Sequence, residues 1–81
     1  MANGKEVWDS AEKLVDKGGV RSANAMRFYA LTRMLAEAET AMLIGSDAEA
    51  ADLVRELQAH CEKMIGILAP ERRKGPTLVA A

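Results

Sequence analysis

The stretch RSANAMRFYALTR, residues 21–33, sets Arg21, Arg27 and Arg33 six apart around Phe28 and Tyr29. Guanidinium groups beside aromatic rings are what proteins use to hold phosphates and stack bases. A nucleic-acid or nucleotide surface is therefore the first chemistry to weigh. The spacing argues against it. Six residues turn a helix by about 600°, which leaves about 240° between successive arginines. The three point in different directions and make no stripe along a phosphate backbone. Phe28 falls on an apolar row and reads as core, with Tyr29 at its edge. Arg33 has Glu37 four residues on, an intrahelical pair worth about 0.2–0.5 kcal/mol. A solvated helix surface is the plainer reading.

His60, Cys61 and Glu62 form a second cluster, with Glu56 one turn before His60. Neighbours on a helix diverge by about 100°, so His60 and Cys61 do not readily share one metal ion. The carboxylate-bundle motif is Glu-x-x-His, whereas Glu56 and His60 are four apart. Cys61 reads as a buried seam residue and His60 as an edge residue. For nucleophilic catalysis the chain offers one histidine and three serines. Nothing resembles a nucleophile elbow or a phosphate loop. The expectation is a protein that is not an enzyme, with no metal and no cofactor.

Two further features concern partners. Glu49, Asp52 and Glu56 stand at i, i+3 and i+7, an acidic row that repels phosphates and reads first as a solvated face. Residues 70–81, PERRKGPTLVAA, join the cations Arg72, Arg73 and Lys74 to an apolar pair, Leu78 and Val79. This combination reads as a compact two-part ligand for an acidic surface beside an apolar groove. The final LVAA resembles the end of the bacterial trans-translation degradation tag. Trp8, the single tryptophan, reads first as an anchor of a short helix. Its second reading is as a partner contact, because tryptophan is enriched at hot spots.

The elements that carry these residues are helices. Alanine is abundant, there are five methionines, and aromatics make up 4% of the 81 residues. That composition favours helix and offers little to a sheet. One helix is predicted over residues 3–17, capped by Asn3 with Glu6 and stopped by Gly18 and Gly19. Val7, Trp8, Ala11, Leu14 and Val15 give it one apolar face. A second is predicted over residues 22–44, with a seam of Phe28, Leu31, Leu35, Ala38 and Met42. Ala30, Met34, Ala41 and Ile44 flank that seam. A third follows at once, opened by a capping box over Ser46–Glu49 and closed by Pro70. Its seam is Val54, Leu57, Cys61, Met64 and Leu68. So short a break makes the two long helices an antiparallel hairpin.

The expected fold is all-α: a helical-hairpin domain over 1–69 with a short N-terminal helix, then a basic and apolar segment over 70–81. One hairpin cannot cover both of its faces. Self-association through the two seams, in the first instance as a dimer with a four-helix core, is the economical solution. A monomeric three-helix bundle is the plainer alternative. The formal net charge of −1 argues against a protein built to coat nucleic acid. A single cysteine and a start without an apolar h-region fit a reducing cytoplasm. No stretch approaches the roughly 18 apolar residues of a membrane span.

The function expected is a small interaction module, an adaptor or inhibitor, whose partners are itself and an unidentified protein. Nucleic acid and membrane are not expected partners. A nucleic-acid-binding transcriptional regulator is one alternative, because the Gly18–Gly19 junction has the outline of a helix-turn-helix and residues 20–25 would meet base edges. A sensor or sequestering protein for a nucleotide-type ligand is another.

Overall fold

The structure, a computed structural model, describes residues 2–73. It is all-α, and among the described residues there is no strand. Helix α1 spans Gly4–Gly18, α2 Val20–Leu43, α3 Asp47–Leu68, and a single turn, α4, Pro70–Arg73. Helices α2 and α3 form the expected antiparallel hairpin, and α1 packs back along the first half of α2.

Local chemistry explains the boundaries. Asn3 caps α1 through its side chain, which accepts from the Glu6 amide at 2.8 Å. The Glu6 carboxylate returns to the Asn3 amide at 2.9 Å, completing a capping box. The α1–α2 junction is one residue, Gly19, whose φ of 93° suits glycine and strains any L side chain. At the other turn Gly45 has φ 89°. The Gly45 amide donates to the Met42 carbonyl at 3.0 Å, and the Ser46 amide to the Ala41 carbonyl at 2.8 Å. Those two bonds are a Schellman motif.

That motif corrects the reading of Ser46–Glu49. Ser46 is the N-cap of α3, but its side chain makes no cap hydrogen bond. A capping box needs the Ser46 amide for Glu49, and the Ala41 carbonyl already holds it. Pro70 also does more than end α3. Ala69 closes that helix through its amide to Ile65 at 2.8 Å, and Pro70 opens α4, where its missing N–H costs nothing.

The core sets the seam. Val7 and Trp8 of α1 meet Ala30 and Met34 of α2 and Met64 of α3, with Met26, Leu31 and Leu57 packed against them. The inward row of α2 is Ala23, Arg27, Ala30, Met34, Ala38 and Ala41. On α3 the buried residues are Ala50, His60 and Met64. Alanines on the inward row let helices approach closely. The tightest point is Gly4, where an added Cβ would lie 2.5 Å from Met34 Cγ, 2.9 Å from Met34 N and 3.0 Å from Ala30 O. Two of those neighbours are backbone and cannot turn aside. Gly4→Ala is expected to destabilise the protein by about 1–3 kcal/mol by prising α1 off α2. A urea titration that leaves the midpoint unmoved would refute the close approach.

Candidate functional site

Three places in this fold gather side chains with chemical potential: a polar knot under α1, a groove beside it, and an open apolar face opposite.

The knot centres on Trp8, which is 1% exposed. Its indole Nε1 donates to Glu12 Oε2 at 3.0 Å, one turn along α1. Arg27 Cζ stands 5.6 Å from the indole centroid, a cation–π contact. The His60 ring meets the indole edge to face, with centroids 4.9 Å apart and planes at 78°. Both polar partners are buried, Arg27 at 7% exposure and His60 at 4%. His60 Nδ1 is 2.8 Å from the Glu56 carbonyl. A carbonyl only accepts, so Nδ1 carries the hydrogen and Nε2 is the other ring position. Arg27 Nη1 donates to Asn24 Oδ1 at 2.8 Å, while its buried Nε has no hydrogen-bond partner.

Trp8 therefore sits as the anchor of α1 and offers no surface to a partner. Two other readings change. Arg27 is not solvated but lies on the inward row of α2. His60, read as an edge residue, is buried, and Cys61 is the half-buried neighbour. The reason is the same for both. The aromatic face of Trp8 compensates a guanidinium and an imidazole that would otherwise be expelled from the interior.

A guanidinium held with no carboxylate among the described residues is a costly way to pack a helix, which gives a direct test of what Arg27 does. Arg27→Met keeps the length and places a thioether on the indole. It removes an unpartnered buried N–H, whose penalty is about 1–3 kcal/mol. The variant is expected to gain about 1 kcal/mol in a denaturant titration. A loss above about 2 kcal/mol would mean that Arg27 makes a contact beyond Trp8 and Asn24.

Arg33 and Glu37 do more than pair with each other at 3.9 Å. Arg33 Nη2 donates to the Ala2 carbonyl at 2.8 Å, and Glu37 Oε2 accepts from the Gly4 amide at 2.9 Å. Together they clamp the start of α1, where a carboxylate also suits the helix dipole. Sequence spacing showed the pair but not the clamp, because its other half lies more than thirty residues away. Arg21 is exposed, so the three arginines occupy three unlike environments.

Beside the start of α1, the α2–α3 valley remains open. A groove of about 440 Å³ there is lined by Thr40, Ala41, Ile44 and Leu53, with Arg33, Glu37 and Glu49 at its rim. An adjoining hollow of about 240 Å³ adds Asp52 and Glu56. Glu49, Asp52 and Glu56 are all exposed, and Asp52 pairs with Arg55 at 3.0 Å in a solvated contact of little energetic value.

On the opposite face the hairpin is bare. Leu35 is 58% exposed, Met42 49% and Val54 47%. These three line one shallow groove floored by Ala38, Ala50 and Ala51. Phe28, Ile65 and Leu68 are further exposed apolar residues of the same two helices. Of the residues predicted to form an oligomer seam, Phe28, Leu35, Met42, Val54 and Leu68 are exposed. Ala38 and Met64 are buried, and Leu31, Leu57 and Cys61 are half-buried. Phe28, read as core, lies on the outside of this chain. The row called flanking, Ala30, Met34 and Ala41, is the one that packs inward, although Ile44 at its end is exposed.

Of the C-terminal contact residues predicted, Arg72 and Arg73 fall in α4 by backbone, and Lys74, Leu78 and Val79 lie outside the described residues. Among the described residues no three of His, Cys, Asp and Glu gather as a metal site, and no helix is long and apolar enough to cross a membrane. No protein-family model matches the chain, and no curated protein or solved structure does either.

Proposed function

We propose that the chain is a non-enzymatic helical interaction module that works as a homodimer in the cytoplasm, an adaptor or inhibitor that occludes or bridges a partner protein. The observation that carries this reading is the bare face of the hairpin. Leu35, Met42 and Val54 share one groove there, and nothing in the chain's described residues covers them. An apolar face of this kind on so small a protein is where a partner sits. A second copy answers the need without invoking another molecule, because a two-fold interface uses the same patch twice.

Shape favours an antiparallel arrangement of the two hairpins. The turn end of the face is a groove floored by Ala38, Ala50 and Ala51. The open end carries the bulk of Phe28 and Leu68. A two-fold axis across the helices sets the bulky end of one copy in the alanine-floored end of the other. The interior polar groups support a non-catalytic role. Arg27 and His60 are spent on Trp8, and neither lines the grooves described above.

The test is the salt and mass behaviour of the full chain. A dimer with no tight nucleic-acid complex is the expected outcome. A complex that weakens steeply with salt and is lost on changing Arg21 would favour a nucleic-acid regulator instead. A nucleotide-like molecule co-purifying at one per chain would favour a sensor or sequestering role.

A further inference from the structure

We propose that Gly19 is a hinge through which α1 leaves its own hairpin and docks on that of a second copy. Straightened there, α1 and α2 become one helix from Gly4 to Leu43, about 60 Å long. Each copy then receives the other's Trp8 against its own Arg27 and His60. This interface is separate from the bare face, because no residue of α1 lines the groove of Leu35, Met42 and Val54.

The two junctions of the chain are built differently. The α2–α3 turn is fastened by the Gly45 and Ser46 amides, which donate back to the Met42 and Ala41 carbonyls. The α1–α2 junction is the single residue Gly19, and the first turn of α2 has no side-chain cap. Glycine is needed there for conformation and not for room. Its φ is 93°, yet an added Cβ would meet nothing within 4 Å among the described residues. Reversal of the chain at residue 19 is therefore a backbone choice that suits glycine, whereas a helical choice at the same residue is open to alanine. A continuous helix would also give the first amides of α2 their partners among the last carbonyls of α1.

The docking geometry is indifferent to which copy supplies α1. The two helices run antiparallel, and each step forward on α1 is a step back on α2. Arg33 holds the Ala2 carbonyl, Gly4 lies beside Ala30 and Met34, and Arg27 stands over Trp8. Continued at the same pace, this line of contact meets itself at Gly18 and Gly19, where a two-fold axis would have to pass. Two straightened helices crossing there place each α1 on the other's α2 in the register already described. The Trp8 contacts, the Gly4 approach and the Arg33–Glu37 clamp pass between copies unchanged, so the closed and exchanged forms differ in the junction alone.

Two effects set the balance between them. Adjacent glycines disfavour a continuous helix. The short tether also holds α1 over its own hairpin at an effective concentration on the order of 1 mM. Both favour the closed form in dilute solution, so exchange belongs to high concentration or to a hinge that has lost its glycine.

The test is Gly19→Ala in a full chain that also carries Leu35→Glu to disable the bare face. Alanine is strained at a φ of 93° and is the best helix former. Sedimentation at tens of micromolar, the upper part of the usual micromolar range, is expected to give twice the mass of one chain. Leu35→Glu alone should give one mass, and so should a chain whose Gly19 is replaced by a short flexible glycine–serine linker. The contact between copies is read with Cys61→Ser throughout, a nitroxide on Ser10→Cys in one batch and isotope label in the other. Refolded together, the labelled Gly19→Ala copies should lose the amide signals of Asn24 and Arg27. With Gly19 kept, partial loss is expected at about 1 mM. A single-chain mass for Gly19→Ala, or its failure to fold, would overturn the exchange, because a continuous helix accepts alanine. Unaffected amides at doubled mass, or no loss at about 1 mM with Gly19 kept, would overturn it too. Doubled mass in the linker chain would overturn Gly19 as the hinge. Doubled mass for Leu35→Glu alone would count against the bare face, and the amide signals would still decide the exchange.

Discussion

Leu35→Glu is expected to yield a monomer that keeps its helicity. In one copy Leu35 is 58% exposed, so the change costs an isolated chain little, within about 0.5 kcal/mol as for other surface sites. In the proposed dimer the same position is buried, and a two-fold interface carries the substitution twice. Desolvating an unpaired carboxylate costs several kcal/mol. At about 1.4 kcal/mol per tenfold, the dissociation constant should rise by at least about a thousandfold. Leu57→Glu is the informative contrast. Leu57 is half-buried and packs against the core of Trp8, Met34 and Met64, so that variant should lose its helicity altogether. Sedimentation and circular dichroism on the two variants separate an interface from a core. If Leu35→Glu unfolds the protein as Leu57→Glu does, the open face is misassigned.

The element pattern was legible in the sequence, and the inward face was not. Glycines at 18, 19 and 45 and the Asn3–Glu6 pair mark real boundaries because each acts locally. The Ser46 capping box failed because its amide is claimed by a carbonyl from the preceding helix, a competition that no four-residue pattern contains. The seam of α2 was ambiguous for another reason. Apolar residues lie on more than one side of that helix, and both Phe28–Leu35–Met42 and Ala30–Met34–Ala41 repeat at helical spacing. Sequence reasoning weighted the larger residues. Close packing of helices selects the smaller ones, as the contact of Gly4 with the α2 backbone shows.

On α3 the same bias moved the buried position by one residue, from His60 to Cys61. An imidazole and a guanidinium look like surface until the tryptophan that accommodates them is brought beside them. Trp8 comes from 19 residues before Arg27 and 52 before His60. The knot was therefore invisible to any local pattern, although every member of it was in plain view.

Trp8→Ala is expected to have the largest effect on stability. It removes a fully buried aromatic, a change that costs about 3–5 kcal/mol. It also strips Arg27 and His60 of the ring that compensates them. A domain of this length has about 4–12 kcal/mol in all, so the variant should be unfolded or have lost α1 from the hairpin. Trp8→Phe keeps a ring but no donor for Glu12, and should retain the fold at a cost of about 1–2 kcal/mol. A denaturant titration of the alanine variant showing a loss below about 1.5 kcal/mol would mean that α1 is not anchored through Trp8.

If a second copy covers the bare face of the hairpin, the molar mass of the unmodified full chain in solution reports it. Sedimentation equilibrium at tens of micromolar, the upper part of the usual micromolar range, is predicted to give twice the mass of one chain. A single-chain mass at the same concentrations, with helicity intact, would contradict it.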